Sequence, residues 1–331
     1  MSPEKSPLMI KRILVFTILC ISGFQVLAQD PEFTQFYAAP LYLNPAFAGT
    51  ARCPRITTNY RNQWPNLSGN FVTYAASYDQ HVDALQGGIG LLVINDKAGD
   101  GVLNTTNISG IYSYQLNVTH RFSIKAGFQA TYAQKRLDWS KLTFGDQISP
   151  KYGFIYPTQE VMPQESRSYF DLSAGILAYS SKFFGGLAIN HLTQPNEGFI
   201  STNQAKLPMK VTVHAGMQIP LTSKNRSSTS YISPNILFQQ QQNFTQVNMG
   251  LYAGRGALVG GAWCRYNFTN IDAIMLLVGI QQGIFKFGYS YDVTVSKLAP
   301  STAGAHEISF GMQFQCKKPK KRFRTIQCPS F

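Results

Sequence analysis

Apolar and polar side chains alternate strictly along residues 305–316, near the end of the chain. One side carries Ile308, Phe310, Met312 and Phe314, and the other carries Glu307, Ser309, Gly311, Gln313 and Gln315. Successive side chains of a β-strand point to opposite faces, so this period predicts a strand with one apolar and one polar face. The same alternation recurs along most of the chain and leaves no separate element to cover the apolar faces. It predicts an all-β fold, a transmembrane antiparallel β-barrel whose apolar faces meet lipid and whose polar faces line the lumen.

The composition fits a chain that has part of its surface in lipid. Only 14% of the 331 residues are charged, whereas a soluble globular protein carries roughly 25%. Mean hydropathy is close to neutral at -0.11, and the longest aliphatic run after the N-terminal region, 273–278, has six residues. A membrane-spanning helix needs about 20 apolar residues, so a helical membrane protein is disfavoured.

The alternation predicts about fourteen strands, with twelve or sixteen as alternatives. Their expected positions are 55–63, 71–81, 86–96, 102–117, 120–138, 168–180, 183–194, 209–220, 229–240, 244–254, 257–268, 271–283, 285–296 and 305–316. The expected strands are longer than the usual strand length of about 5 or 6 residues, which disfavours a soluble sandwich. The odd-numbered connections include the two longest, and the even-numbered ones are mostly tight turns. Outer-membrane barrels have short periplasmic turns and longer outer loops, so we expect both termini on the periplasmic side.

The first 28 residues have the pattern of a cleaved signal peptide. Lys11 and Arg12 precede an apolar stretch at 13–24, and the small residue Ala28 ends the segment. This order of a basic, an apolar and a small-residue region is typical of secretory signals. A short anchor helix is the alternative. We therefore expect export to the bacterial outer membrane, where the remaining cysteines meet an oxidising compartment.

Residues 29–54 separate the signal peptide from the first strand and are rich in aromatic side chains. Pro31, Pro40 and Pro45 interrupt any ladder of strand hydrogen bonds in this stretch. It is also too apolar to extend freely into water. We predict that it packs into or under the barrel mouth as an irregular plug, ahead of a barrel at 55–316.

The chain ends in a basic tail at 317–331, which we expect on the periplasmic side. Its positive charges are Lys317, Lys318, Lys320, Lys321, Arg322 and Arg324. The tail is a candidate for binding an acidic partner or the head groups of outer-membrane lipid, and a solvated basic end is the alternative. Export makes nucleic acid the least suitable partner.

Four cysteines follow the signal peptide, and four allow three full pairings. The first strand of a closed barrel pairs with the last. Cys53 precedes the first expected strand and Cys316 ends the last, so we predict a disulfide between these two. Cys328 in the tail competes for either partner, Cys264 is expected to be unpaired in the wall, and four reduced thiols remain an alternative.

Charged side chains on the polar faces are expected to point into the lumen; the candidates are Lys125, Asp171, Lys210, Asp292 and Glu307. They would either pair and fill the interior or line a passage for polar solutes, and the plug segment favours a filled lumen. The five histidines are scattered singly, and no nucleophile, metal or phosphate-binding motif occurs. We predict no enzyme activity, no metal and no cofactor.

The mature chain resembles the PorP/SprF family of type IX secretion system membrane proteins. The resemblance begins with Gln29-Asp30-Pro31-Glu32-Phe33-Thr34-Gln35-Phe36-Tyr37 and Leu43-Asn44-Pro45-Ala46-Phe47-Ala48-Gly49, and continues at 59–65, 77–79, 101–106, 137–148, 289–298 and 304–309. It covers essentially the whole mature chain apart from the basic tail. The family carries no catalytic residues to transfer.

The resemblance implies an outer-membrane barrel of Bacteroidota-type bacteria that acts with the type IX secretion machinery. It further implies a role in gliding motility and in exporting, or holding at the surface, large secreted adhesins. A periplasmic peptidoglycan-binding lipoprotein is implied as a partner for some members. Two other classes compete with this hypothesis: a passive or selective channel for small solutes, and a barrel-embedded lipid enzyme, for which no cluster of a nucleophile and a base is present.

Overall fold

Fourteen antiparallel wall strands close into a barrel within the residues that the structure, a computed structural model, describes: 30–119, 122–160, 164–199, 205–221, 230–295 and 302–315. The strands of the chain are β1 Arg55–Gln63, β2 Phe71–Val82, β3 Gly87–Ala98, β4 Leu103–Thr119, β5 Phe122–Leu137, β6 Ile148–Ser149, β7 Gly153–Phe154, β8 Ser166–Ser180, β9 Phe183–Asn190, β10 Lys210–Met217, β11 Ile219–Pro220, β12 Ser230–Gln241, β13 Phe244–Arg255, β14 Leu258–Tyr266, β15 Ile271–Gln282, β16 Phe285–Thr294 and β17 Ala305–Gln313. Strands β6 and β7 form a separate small hairpin, and β10 and β11 together make one wall strand.

The barrel closes where β17 pairs with β1, from Arg55↔Gln313 to Gln63↔Ala305. The predicted antiparallel barrel of about fourteen strands is confirmed. The expected strand 183–194 ends early, at Asn190, because His191 adopts a positive φ of 59° that a strand cannot continue. Among the described residues, no helix has both the length and the apolar character needed to cross a membrane.

The wall has its apolar face outside and its polar face inside, the reverse of a soluble protein. In β17, Ile308 and Phe310 are 41% and 38% exposed, whereas Glu307 and Ser309 between them are 0% and 4% exposed. The other wall strands repeat this arrangement, with exposed Leu, Ile, Phe and Tyr side chains alternating with buried Ser, Thr, Asn and Gln. Such an outer face is stable only against an apolar solvent, as expected for a barrel in lipid.

The two ends of the barrel differ in their connections. The end at Arg55 and Gln313, which we call the short-turn end, carries the tight turns 83–86, 181–182, 256–257 and 283–284. The opposite, long-connection end carries 64–70, 138–165, 191–209 and 295–304. This distribution follows the predicted alternation, in which the longest connections lie at one end. The long-connection end also carries the short connections 99–102, 242–243 and 267–270, and the 221–229 connection at the opposite end is longer than the other turns there. The 242–243 connection is a two-residue turn, with Gln242 at a positive φ of 51°.

Residues 31–54 lie inside the wall, and we call them the lumen segment. The segment belongs to the compact unit Pro31–Phe331 and contains one helical turn, α1 Pro40–Leu43, and a 3₁₀ turn, Pro45–Phe47. Each turn begins with a proline, whose fixed φ suits the first helical position. Phe33, Leu41 and Phe47 are almost fully buried. The expected signal peptide, 1–28, and the basic tail, 317–331, lie outside the described residues.

The reversed burial makes a prediction for the outer face. Leu276 lies on the outer face in the middle of β15 and is 53% exposed. Replacing Leu276→Arg places a charge in the centre of the bilayer, and we expect a destabilisation of about 2–4 kcal/mol in urea unfolding from lipid vesicles. The matched control is Leu258→Arg at the short-turn rim, with an expected cost of about 0–1 kcal/mol. Equal costs at the two positions would contradict this assignment.

Candidate functional site

A buried ionic cluster binds the beginning of the lumen segment to the closing strands of the barrel. Arg61 on β1 contacts Asp292 on β16 at 2.8 Å and Glu307 on β17 at 3.4 Å. The Thr34 amide donates to Glu307 at 2.6 Å, and its hydroxyl donates to Asp292 at 2.7 Å. The cluster therefore joins three adjacent wall strands and the segment at one point.

Arg265 on β14 adds a second guanidinium group, 3.5 Å from Asp292. Two carboxylates and two guanidinium groups therefore face one another inside the barrel. Burying a charge costs several kcal/mol unless a partner compensates it, and removing one partner of a buried pair costs about 3–5 kcal/mol. The cluster is stable as a complete set, and each member depends on the others.

A second polar cluster holds the other end of the lumen segment. Asp79 on β2 accepts from the Gly49 amide at 2.8 Å and pairs with Arg55 at 2.8 Å. The Ala48 carbonyl accepts from the Ser113 hydroxyl at 2.7 Å and from the Lys125 ammonium group. The backbone of residues 48 and 49 is thus bound by side chains of three different wall strands, β2, β4 and β5, and Arg55 on β1 supports Asp79.

Aromatic contacts join the lumen segment to the wall between the two clusters. The ring of Phe36 meets Trp263 with centroids 5.1 Å apart, and that of Phe47 stacks on His214 at 5.3 Å. Tyr37 lies edge-on to Phe184 at 5.4 Å. Trp263 and Phe184 belong to a cluster of buried apolar side chains that includes those of the segment, so the segment has an apolar core in its middle part.

Asn44 is the polar anchor within this apolar zone. Its side-chain amide donates to the carbonyls of Ile176 and Leu187, each at 3.2 Å, on the neighbouring strands β8 and β9. Its side-chain oxygen accepts from the Ala46 amide at 2.8 Å and so begins the 3₁₀ turn. Asn44 therefore fixes the segment both to the wall and to its own turn.

Glycines in the wall make room for the lumen segment. A Cβ atom added at Gly88, Gly127, Gly175 or Gly288 would come closer than 3.0 Å to an atom of the segment. Real Cβ atoms essentially never approach so closely. The wall and the segment are thus complementary in shape at several points along the lumen. This role cannot be seen in the sequence, because a glycine in an alternating strand looks like any other polar-face position.

The five predicted lumen charges are all buried, but the structure brings only two of them together. Asp292 and Glu307 share the ionic cluster with Arg61. Asp171 contacts His191 at 2.8 Å near the long-connection end, and Lys125 lies near the short-turn end. The Lys210 ammonium group lies 5.4 Å from the centre of the Tyr42 ring in the lumen segment. Arg55, Arg61 and Arg265 were missed, although each occupies an inward position of an alternating strand.

The long connection 138–165 is folded, as far as its described residues 138–160 and 164–165 show. Asp138 accepts from the Ser140 hydroxyl at 2.6 Å, and this bond holds the pKa of Asp138 below its usual value. The Gln159 amide at 2.6 Å, followed by the Thr158 hydroxyl, lowers the pKa of Asp146 in the same way. Tyr152 and Phe154 nevertheless remain 67% and 61% exposed. This arrangement presents aromatic side chains to solvent on a structured loop.

Cys53 is disulfide-bonded, and Cys264 is a free thiol. The predicted partner of Cys53, Cys316, lies outside the described residues, as do Cys328 and the predicted tail residues Lys317, Lys318, Lys320, Lys321, Arg322 and Arg324. Beside the seam, the Phe314 amide donates to the Pro54 carbonyl at 2.9 Å. This hydrogen bond extends the β1–β17 pairing toward Cys53.

The described residues contain no group of three or more histidine, cysteine, aspartate or glutamate side chains that could hold a metal ion. The closed wall, the lumen segment and the long connections are the features that the described residues offer for function. A closed antiparallel barrel with an apolar outer face defines an outer-membrane β-barrel protein.

The family model "Type IX secretion system membrane protein PorP/SprF" matches residues 26–312. The chain belongs to this family, as its sequence motifs predicted. No curated protein matches the chain.

Solved barrel structures are similar to this chain at low identity. The P. putida toluene transporter TodX is 10% identical, with a TM-score of 0.46 over 83% of this chain and 93% of that chain. A Pseudomonas aeruginosa FadL homologue is 12% identical, with a TM-score of 0.41 over 89% of this chain and 97% of that one. The KdgM porin is 10% identical, with a TM-score of 0.36 over 79% of this chain and 99% of that one.

The close approach at Gly175 predicts that a single methyl group disturbs the lumen segment. A Cβ atom there meets the Asn44 side chain, so Gly175→Ala should destabilise the protein by about 1–3 kcal/mol in urea unfolding. It should also increase protease cleavage within 31–54. Gly110→Ala is the matched control, because no atom lies within 4 Å of a Cβ at that position. Similar effects of the two variants would contradict the fitted interface.

The seam geometry predicts the partner of Cys53. Pairing with Cys316 would covalently join the beginning of β1 to the end of β17, next to the Phe314–Pro54 hydrogen bond. Peptide mapping of unreduced protein should yield a Cys53–Cys316 linked peptide, and Cys264 should react with an alkylating reagent after unfolding without reductant. Recovery of a Cys53–Cys328 peptide in its place would show that the tail supplies the partner.

Proposed function

We propose that this protein is a non-enzymatic outer-membrane barrel component of the type IX secretion and gliding motility system. It would assist the export or surface anchoring of large adhesins by docking them and would not conduct them through its own lumen. Membership of the PorP/SprF family supports the link to the secretion machinery. The finer role is supported by the filled interior and by the structured connections at one end of the barrel.

The contacts that hold the lumen segment inside the wall are the observation that carries the proposal. The lumen segment is bound by ionic clusters near both ends and by aromatic contacts between them. A polypeptide passing through the barrel would have to displace all of these contacts together. A segment held in this way acts as a plug, and the exported client then has to cross the membrane through another component of the machinery.

The long connections supply the surface for the client. Connection 138–165 offers exposed aromatic side chains, and aromatic residues provide large contact areas at a low cost in conformational entropy. Its neighbour, connection 99–102, is tied to it where the Lys141 ammonium group donates to the Asp100 carbonyl at 2.9 Å. In an outer-membrane barrel the longer connections face the outside, where a secreted adhesin would be held.

The opposite end would serve partners in the periplasm. The short turns and the basic tail at 317–331 would face a peptidoglycan-binding lipoprotein or anionic lipid head groups, and the signal peptide at 1–28 would direct the chain to the envelope. This orientation has the tail and the disulfide of Cys53 on the same side of the membrane as the lipoprotein.

Deletion of the gene tests the secretory role. We expect loss of the adhesin from the cell surface or impaired gliding, with the permeability of the outer membrane to small dyes unchanged. Complementation with the full-length gene should restore both phenotypes. Normal adhesin display in the deletion strain would overturn the proposal.

The rival function, a channel for small solutes, is tested by conductance of the purified protein in planar bilayers. The plugged lumen predicts no steady open pores in the wild-type protein. A variant lacking 31–50 should conduct if it folds, which would show that the wall alone is wide enough for ions. Steady conductance of the wild-type protein would favour the channel.

A further inference from the structure

The wall residues that contact the lumen segment define its direction through the barrel. Glu32 contacts Gln246, which lies two residues after the first residue of β13 at the 242–243 turn. Thr34 binds Glu307, which lies two residues after Ala305 at the start of β17. Both wall positions are at the long-connection end, within about 7 Å of the rim along their strands.

The last residues of the segment are located just as clearly at the other end. Gly49 binds Asp79, which pairs across the sheet with Arg55 at the first position of β1. Ala48 binds Lys125, three residues after Phe122 at the beginning of β5. Arg55 and Phe122 both lie at the short-turn end. The segment therefore crosses the lumen from one end to the other between residues 32 and 49.

We propose that the chain enters the lumen through the long-connection mouth and leaves it at the short-turn end, where β1 begins. Because longer connections of outer-membrane barrels face outward, Pro31 and Glu32 then lie at the mouth that faces the cell exterior. The alternation predicted both chain termini on the periplasmic side. The termini lie outside the described residues, and the present inference concerns the start of the lumen segment at Pro31.

The first residues of the lumen segment are held firmly against the wall. Phe33, Phe36 and Tyr37 are nearly completely buried directly after the start of the segment. The direction of the segment is therefore fixed from its beginning at the long-connection end.

The inference adds an element to the outer interaction surface. Connection 191–209 bends toward the lumen at this end, since Glu197 pairs with the inward-facing Lys135 at 3.0 Å and the Pro208 carbonyl accepts from Gln241 at 3.3 Å. A macromolecule bound at the long-connection mouth would meet this inward bend and the first residues of the lumen segment together. The inference stands independently of the type IX role, because it rests on the contacts of the lumen segment with the wall and on the outward orientation of long connections.

Epitope insertion into the full-length protein tests the path. A short epitope placed between Asp30 and Pro31 should bind antibody on intact cells, at a level within twofold of the same epitope placed after Glu160 in connection 138–165. The same epitope placed after Gly283, in a short turn, is the matched control and should be detected only after the outer membrane is permeabilised. Detection of the Asp30–Pro31 insertion only in permeabilised cells would overturn the proposal.

A second measurement covers the case in which an insertion prevents folding. In a Cys264→Ser background, whose own labelling through the remaining cysteines is measured and subtracted, Glu32→Cys and Lys182→Cys each introduce one thiol, at the long-connection and short-turn ends respectively. A maleimide polymer too large to cross porins should label Glu32→Cys on intact cells at least fivefold more than Lys182→Cys. Equal labelling, or preferential labelling of Lys182→Cys, would contradict the path. Neither measurement depends on adhesin secretion, so this inference and the proposed function can fail separately.

Discussion

The buried set formed by Arg61, Asp292 and Glu307 is the interaction on which the rest of the structure depends. It lies where the first strand meets the last two, so it acts on the closure of the barrel as well as on the lumen segment. Thr34 supplies hydrogen bonds that both carboxylates need in a site without bulk water. Closure and segment docking are therefore coupled, because each supplies partners that the other would leave unpaired.

The same coupling explains how the chain is stable with lipid against its outer face and polypeptide against its inner face. The outer face takes its stability from lipid, so it contributes little to holding a particular arrangement of the inner face. The inner face packs against residues 31–54, whose contacts with it are apolar in the middle and polar near both ends. In this sense the lumen segment is the hydrophobic core of the protein. At the wall glycines, the absence of a Cβ atom leaves the space that the segment occupies.

Much of the wall could be predicted from the sequence because strand periodicity is a local property. Strand β1 was predicted at its observed bounds, and Glu307 and Asp292 were assigned to the inner face by alternation alone. Their meeting with Arg61 could not be predicted, since it depends on the stagger between β1, β16 and β17. Periodicity gives the face of a residue but not its height along the barrel. For the same reason, the contact between Gly175 and Asn44 could not be predicted from the sequence, since the two residues are 131 positions apart.

The two-residue turn at 242–243 has a consequence for the outline of the barrel. Only two residues join β12 to β13 and only 267–270 join β14 to β15, whereas the much longer connection 138–165 joins β5 to β8. Glu32 contacts the wall beside the two-residue turn through Gln246. A molecule that touches this part of the rim therefore meets strand ends and the start of the lumen segment, and long loops contribute only where Pro208 accepts from Gln241.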